Sequence, residues 1–335
     1  MCLDGTTRVG PSVSVDRNLG AAKTAYLEAL GRFSPELSAA GARLLERLPP
    51  SNWKLEWRLP GWLGDAFELP QRVTAALTLS NLFGLSCIWL HDARIDGETI
   101  FGAPELAATL AAAVHHLWIT GYARSFPRES PFWGYFEAYM AQWAKATLAS
   151  NRGPVGAFRS LDGEDLLALG HRGAPLKVCC AAACLLAERE GDIPRLAAAV
   201  DDLLAGAVLL DHAQDWHDDL MAGRYNAFVA YASPAPQTAE HLQMNEGKVL
   251  EEICLGEVAG PYFDRIVRYL RSAREAAGAL QCRHLSEHVL WLERQTIAYH
   301  RRLGRQARAG LRAVTRQLFS APAQSPAPMT SQEGS

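Results

Sequence analysis

Two pairs of aspartates, each four residues apart, are the residues of this chain best suited to chemistry. Asp92 and Asp96 lie in the stretch HDARIDGE, and Asp215 and Asp219 lie in QDWHDDLMAGRYN. Residues at i and i+4 of an α-helix project from the same face, so each pair presents two carboxylates in one direction. Asp211 stands one turn before Asp215 and extends the second pair into an acidic stripe. Oxygen ligands with this much negative charge suit Mg²⁺, so all five aspartates are candidate metal ligands.

Both pairs come directly after long apolar stretches, LTLSNLFGLSCIWLH at 77–91 and LAAAVDDLLAGAVLLDHAQ at 196–214. We therefore expect each pair at the C-terminal end of a largely buried helix. A helix C-terminus carries partial negative charge and disfavours carboxylates, so acidic pairs in that place require a cation. A solvated acidic face is the alternative for either pair taken alone. The occurrence of two such pairs in similar settings favours a site.

The residues after the second pair extend the candidate site. Gly223 is a natural helix stop, which would place Arg224 beside the carboxylates. An arginine there can bind a phosphate oxygen or neutralise the acids, and a purely structural ion pair remains the alternative.

The elements that must position these residues are predicted to be helices almost throughout, because Leu, Ala, Arg and Glu dominate and apolar residues recur at spacings of three and four. The predicted helices are 19–31, 36–47, 70–97, 103–123, 131–149, 162–170, 173–189, 194–222, 235–255, 258–280 and 283–318. The segment 51–70, which holds Trp53, Trp57 and Trp62, is predicted to be irregular. We expect one all-α domain, a large helical bundle over 19–320, with a flexible segment at 1–18 and a disordered tail at 321–335.

Composition excludes several classes of function. The chain has 335 residues, 49% of them hydrophobic, a net charge of −3 and no basic block, so nucleic acid is not an expected partner. The 7 cysteines show no zinc-ligand spacing and are expected to be free thiols. No signal peptide and no uncharged apolar run of about 18 residues is visible, which predicts a cytoplasmic protein without a membrane span.

With these motifs in view, the chain resembles the class I isoprenoid synthases, which include the terpene cyclases, the polyprenyl diphosphate synthases and the squalene and phytoene synthases. The resemblance implies a helical bundle with a central apolar cavity and two aspartate motifs that bind Mg²⁺ and a prenyl diphosphate. It makes Asp92, Asp96, Asp215 and Asp219 the catalytic metal ligands. The second motif is most like that of the squalene and phytoene group, in which Gly-Arg and an aromatic residue follow the aspartates. On that match Arg224 and Tyr225 contact the substrate.

Further substrate contacts follow from the same resemblance. Lys177, in LGHRGAPLKVCCAAACLL, takes the place of a lysine that reaches the diphosphate in prenyl synthases. Phe83, Trp133 and Phe136 are candidates for lining the cavity, where aromatic faces stabilise a carbocation. Their helical spacing favours ordinary core residues over cavity lining.

The sequence also departs from each subfamily. Ala93 stands where a second aspartate is common, Gln214 replaces an arginine, and only Arg72 is left of the cations that seat a second diphosphate in chain-elongating enzymes. We therefore predict a Mg²⁺-dependent terpene synthase or cyclase. The alternatives are a squalene/phytoene-type prenyltransferase, or an inactive subunit of the same fold that binds a prenyl chain or a partner protein. A homodimer is left open. A di-iron site would need Glu-x-x-His on two helices, which the motif-bearing helices lack.

Overall fold

The structure is a computed structural model of the chain. It describes residues 13–50, 54–95, 97–98, 100–150, 163–233, 238–254 and 258–320. The first-motif residue Asp96, Trp53, the predicted tail at 321–335 and most of the predicted flexible N-terminal segment lie outside the described residues.

The described residues form fourteen α-helices and two single 3-10 turns, and no strand occurs among them. The predicted all-α bundle is confirmed. The helices are α1 (Val13–Gly31), α2 (Pro35–Arg47), α3 (Lys54–Ala66), α4 (Gln71–Ile95), α5 (Pro104–Ala123), α6 (Phe132–Ser150), α7 (Gly163–Gly170), α8 (Leu176–Leu186), α9 (Ile193–Met221), α10 (Ala227–Ala232), α11 (Ala239–Met244), α12 (Glu246–Cys254), α13 (Ala259–Ala279) and α14 (Arg283–Ser320). The 3-10 turns are His171–Gly173 and Glu190–Asp192.

Helix α3 lies in the segment that was predicted to be irregular, so that prediction was wrong. Pro60 stands inside the helix, where it removes one backbone hydrogen bond. Burial of Trp57 and Trp62 compensates for this loss, and the Trp57 indole N–H donates to the Leu48 carbonyl at 2.7 Å. Gly64 faces Thr74 of α4 so closely that any side chain at 64 would overlap it. Proline and glycine made this segment look irregular in the sequence, but tertiary packing stabilises it as a helix.

Other boundaries also differ from prediction. Helix α1 begins at Val13, six residues before the predicted start at 19. The predicted helix over 235–255 is divided into α11 and α12, and the one over 173–189 is shortened to α8. The short helix α10 follows the second acidic motif and was not predicted.

Helices α4 and α9, which carry the two acidic motifs, are long elements of the core. Helix α4 packs mainly against α5 and α3, while α9 packs against α13, which in turn packs against α14. Helix α4 is long and apolar enough, by length and composition alone, to cross a membrane. The prediction that no membrane span is visible in the sequence did not identify this helix. However, 61% of its most apolar window is buried inside the bundle, as is typical of a core helix.

Five cysteines are described with their side chains, and all are buried free thiols: Cys87, Cys179, Cys180, Cys184 and Cys282. Burial raises the pKa of the Cys87 thiol to about 12, which keeps it protonated and unreactive. Free thiols were expected from the sequence, and these five are packing residues.

Candidate functional site

Asp92, the described aspartate of the first motif, stands in the last turn of α4. Gly97 has a φ of 74°, and the amide of Glu98 donates to the carbonyl of Ala93 at 2.8 Å, as in a Schellman C-cap. The glycine therefore ends the helix that carries Asp92. The side chain of Asp92 is 27% exposed, and its Oδ1 lies 3.5 Å from an Nη of Arg172.

The second motif occupies the last three turns of α9. Asp211 and Asp215 are exposed, whereas the side chain of Asp219 is only 14% exposed. The pKa of the Asp211 carboxyl is raised to about 6. The main cause is desolvation of the carboxylate by surrounding protein atoms, and repulsion from Asp215 and Asp219 adds to it. The three aspartates thus form one stripe, as predicted, and their charges disfavour one another.

Asp219 is held by neighbours within its own motif. Its Oδ1 accepts from Arg224 Nε at 2.9 Å, and its Oδ2 accepts from the Asn226 side-chain amide at 2.8 Å. Gly223, with a φ of 68°, turns the chain so that the Arg224 amide also donates to the Asp219 carbonyl at 2.8 Å. The predicted helix stop and the predicted position of Arg224 agree with the structure.

Asn226 ties the segment after the motif back onto α9. Its side-chain amide also donates to the His212 carbonyl at 2.8 Å, and its oxygen caps α10. The ring of Tyr225 meets the His212 ring edge to face at 6.2 Å. His212 Nδ1 accepts from the Ala227 amide at 3.1 Å, which requires a neutral nitrogen. Burial lowers the pKa of His212 to about 4, with Asp219 opposing and Arg172 adding to the shift.

Arg172 therefore links the two motifs, because it contacts Asp92 of the first and lies near enough to His212 of the second to affect its pKa. It sits in the 3-10 turn His171–Gly173, between α7 and α8. Gly170 lets this turn approach α9, since a side chain there would meet the backbone nitrogen of Ala205 at 2.7 Å. The turn thus brings a cation from a third segment between the two acidic helices.

Lys177 has a different environment from the predicted one. Its side chain is 1% exposed, and its ammonium lies 2.5 Å from Asp201 and 2.6 Å from the side-chain oxygen of Gln142. The ammonium also lies over the Tyr139 ring at 4.9 Å. His171 approaches the same carboxylate, with its Nε2 3.6 Å from Asp201. With these partners Lys177 supports the turn that carries Arg172, and no diphosphate can reach it without breaking the pair.

The three aromatic candidates all contribute to core packing. Phe83 stacks on Tyr26 at 5.1 Å, and Phe136 packs on Trp118 at the same distance. Trp133 is half-buried, with its indole N–H donating to the Pro127 carbonyl at 3.0 Å. Their contact with a prenyl chain stays a prediction, as does the central apolar cavity.

The oxygen donors fit Mg²⁺ bound with the help of a ligand. Among the described residues, no group of three or more His, Cys, Asp and Glu could hold a metal ion by itself. Mg²⁺ commonly takes one or two carboxylates and completes its shell with waters and substrate phosphates. Asp211 and Asp215 are exposed oxygen donors without an ion pair in the described part of the chain, and the charges of Asp215 and Asp219 contribute to the raised pKa of Asp211 after desolvation. This donor set favours a hard divalent cation.

Two residues of this site, Arg172 and Asn226, were not predicted from the sequence. Arg172 lies in a stretch that was considered only for Lys177, and nothing in its spacing connects it with Asp92. Asn226 could have been recognised, because an asparagine directly before AFVAYA is a typical N-cap.

Comparisons with known proteins agree with the fold. No protein-family model matches the sequence, and no curated protein matches it. Among solved structures, the chain is similar to the geranylgeranyl pyrophosphate synthetase of the archaeon Geoglobus acetivorans, with a TM-score of 0.61. The match covers 84% of this chain and 99% of that one, at 14% sequence identity. This protein has the isoprenoid synthase fold. At so low an identity the likeness shows the fold alone, so the reaction has to be argued from the site.

Proposed function

We propose that this isoprenoid synthase-fold protein is a Mg²⁺-dependent enzyme that ionises an allylic prenyl diphosphate between α4 and α9. The observation that carries the proposal is the position of Arg172, a cation 3.5 Å from Asp92 in the turn that Gly170 brings against α9. In a metal–diphosphate complex, the acidic residues would bind the metal ions and the arginine would bind the diphosphate anion.

The residues have separate roles in this proposal. Asp92 of α4 and Asp211 and Asp215 of α9 would hold Mg²⁺ together with Asp96 of the first motif, with Asp219 in a supporting position. When bound, Mg²⁺ neutralises the leaving diphosphate. Arg172 and Arg224 donate hydrogen bonds to diphosphate oxygens, for which planar guanidinium groups are suited. Tyr225 packs at the edge of the site against His212.

A terpene synthase or cyclase remains our first choice, because the described residues beside the acidic motifs offer cations for one diphosphate only. Arg172 and Arg224 flank the acidic groups, whereas Lys177 is bound to Asp201. Arg72 is exposed in the first turn of α4, and that helix carries Asp92 at its opposite end. A second diphosphate therefore has no evident seat beside the acidic motifs.

A squalene/phytoene-type condensation is the second candidate. The turn formed by Gly223 and Arg224, followed by Tyr225 against His212, supports it, since that motif is where the sequence most resembles those enzymes. The structural neighbour is named a geranylgeranyl pyrophosphate synthetase, and that name also describes a prenyltransferase. Condensed products from two prenyl diphosphates would identify this reaction.

A binding or partner subunit without catalysis is the third candidate. Arginines already lie on Asp92 and Asp219, so two of the acids are neutralised within the protein. A site that has replaced metal ions with arginines would bind a prenyl diphosphate without releasing its diphosphate group.

The test is diphosphate release from geranyl, farnesyl and geranylgeranyl diphosphate, with and without Mg²⁺. Asp92→Ala and Asp215→Ala should each lower the metal-dependent rate by a factor on the order of 10² or more, because each removes a metal ligand. Asp218→Ala is the matched control, since this side chain in the same motif is 86% exposed and lies off the acidic stripe. It should retain the wild-type rate.

The organic extract then separates cyclised from condensed products. Release without Mg²⁺, or release that survives both substitutions, contradicts the proposal. Binding of the three diphosphates without release supports the non-catalytic candidate.

A further inference from the structure

A second feature, remote in sequence from the acidic motifs, is a basic groove between α13 and α14. It encloses a cavity of about 660 Å³ and is bounded at one end by Tyr231 of α10. None of its lining residues belongs to either aspartate motif. Its volume lies within the range of small-molecule sites, about 300–1,000 Å³.

The groove is positively charged in a chain of net charge −3. Four of its lining residues are arginines and one, Asp264, is acidic. Arg271 is paired with Glu293 at 2.8 Å. Within the described part of the chain, Arg265, Arg268 and Arg301 have no carboxylate partner within ion-pair distance. Three uncompensated guanidinium groups around one concave surface favour an anion.

Arg265 lines the groove with a guanidinium whose hydrogen-bonding capacity is not fully used. Its Nη1 is buried, and no hydrogen-bond acceptor lies within reach among the described residues. A buried donor without an acceptor is costly, so such groups in native proteins generally have a partner. The guanidinium lies toward the Tyr231 ring, 5.9 Å from its centre. Arg265 and Arg268 are three residues apart on α13 and share a face.

The remaining wall of the groove is apolar. Phe263, Val267 and Ile297 line it, and the Phe263 ring stacks on the His300 ring at 4.6 Å and 12°. A ligand of matching chemistry has an anionic group for the arginines and an apolar body for this wall. Arginines bind phosphate oxygens in bidentate geometry.

We propose that the groove between α13 and α14 binds an organic phosphate or diphosphate with an apolar body, at a site separate from the acidic motifs. The phosphate lies on Arg265, Arg268 and Arg301, and the apolar part lies against Phe263, Val267 and Ile297. This inference does not rest on the proposed function, because the groove shares no residue with the acidic motifs.

The test is isothermal titration calorimetry of the full chain in EDTA, with geranyl diphosphate and inorganic diphosphate as probes. Without a divalent cation the acidic stripe repels both probes, so binding reports on cationic sites. We expect geranyl diphosphate to bind more tightly than inorganic diphosphate. Arg265→Gln combined with Arg268→Gln should weaken both by about tenfold or more. The single variant Arg301→Gln, on an exposed residue, should weaken both in the same direction without affecting the fold.

Two control variants locate the site. Arg294→Gln removes the same charge from an exposed position on α14 outside the groove and should leave both affinities unchanged. Arg172→Gln reports whether the probes bind at the acidic motifs instead of the groove. The proposal is overturned if neither probe binds, if Arg294→Gln weakens binding as much as the groove variants do, or if only Arg172→Gln weakens it. Binding to anionic phospholipid vesicles that depends on Arg265 and Arg268, without binding of the soluble probes, would also overturn it and assign the groove to a lipid surface.

Discussion

At the scale of single residues, the candidate site depends on how its charges are compensated. Asp92 and Asp219 each have an arginine within the protein, whereas Asp211 and Asp215 are exposed on the same stripe without one in the described residues. The charges of Asp92 and Asp219 are thus partly neutralised by arginines before any metal ion binds. A metal–diphosphate complex that entered between α4 and α9 would meet both carboxylates and guanidinium groups.

Arg172→Gln tests whether this arginine acts on both motifs. We expect the KM for a prenyl diphosphate to rise about tenfold or more, because a charge-assisted contact to the diphosphate is lost. The pKa of His212 should rise above its value of about 4 in the wild type, since the Arg172 charge lowers it. NMR titration of the imidazole measures the second effect independently of activity.

Arg195→Gln is the matched control, because Arg195 is exposed at the start of α9, far along the helix from His212. It should leave both quantities unchanged. An unaltered His212 pKa in the Arg172 variant would show that this arginine does not reach the second motif.

At the scale of the elements, a buried polar cluster joins α6, α8 and α9 around the turn that presents Arg172. Lys177 of α8 contacts Gln142 of α6 and Asp201 of α9, and His171 of the turn approaches the same aspartate. The position of the turn therefore depends on a buried ion pair. Such pairs contribute more to a unique arrangement than to net stability.

Lys177→Met should reduce the free energy of unfolding by ~3–5 kcal/mol, because it leaves Asp201 without its counter-charge in a mostly buried position. Chemical denaturation measures this loss. Lys248→Met, at an exposed position on α12, should change stability by no more than about 0.5 kcal/mol. Adding Asp201→Asn to Lys177→Met should restore part of the loss. If Lys177→Met instead kept its stability and only raised the KM, the lysine would be a substrate contact.

At the scale of the whole molecule, the packing of α14 against α3 gives the fold a dependence on pH. His288 of α14 is buried between Trp62 of α3 and Trp291, with ring centres 5.3 and 5.7 Å away. Burial, and then the charges of Lys54 and Arg58, lowers its pKa from 6.5 to about 3. The pKa of His288 is lower in the folded state than in the unfolded state. The contribution of the neutral ring to the free energy of unfolding is therefore present above pH 6.5 and is lost as the pH falls toward 3.

Between pH 6.5 and 5 this single group should cost the wild type about 2 kcal/mol of unfolding free energy. His288→Gln removes the titration, so the stability difference between wild type and variant should shift by that amount in favour of the variant. Urea denaturation at the two pH values measures it. His241→Gln, at an exposed position on α11, should leave the pH dependence of the wild type unchanged. A constant difference between wild type and His288→Gln would show that the pKa of His288 is the same in the folded and the unfolded state.

The sequence by itself determined those features that depend on neighbours within a turn or two along the chain. The helices and the stripe of Asp211, Asp215 and Asp219 follow from spacings of three and four, and the stops at Gly97 and Gly223 follow from the freedom of glycine to take positive φ. The all-helical fold class follows from the sum of these local patterns. These are i to i+4 relations, and the sequence displays them directly.

Only the tertiary structure decided which side chains meet between helices. Lys177 was predicted at a diphosphate and lies on Asp201, while Arg172, without any motif of its own, lies on Asp92. Helix α3 forms in spite of Pro60 because its tryptophans are buried. Lys177 and Asp201 are 24 residues apart, and Arg172 and Asp92 are 80 residues apart. The packing angles of the helices determine which of these distant side chains meet. A spacing along one helix carries no information about the face of another.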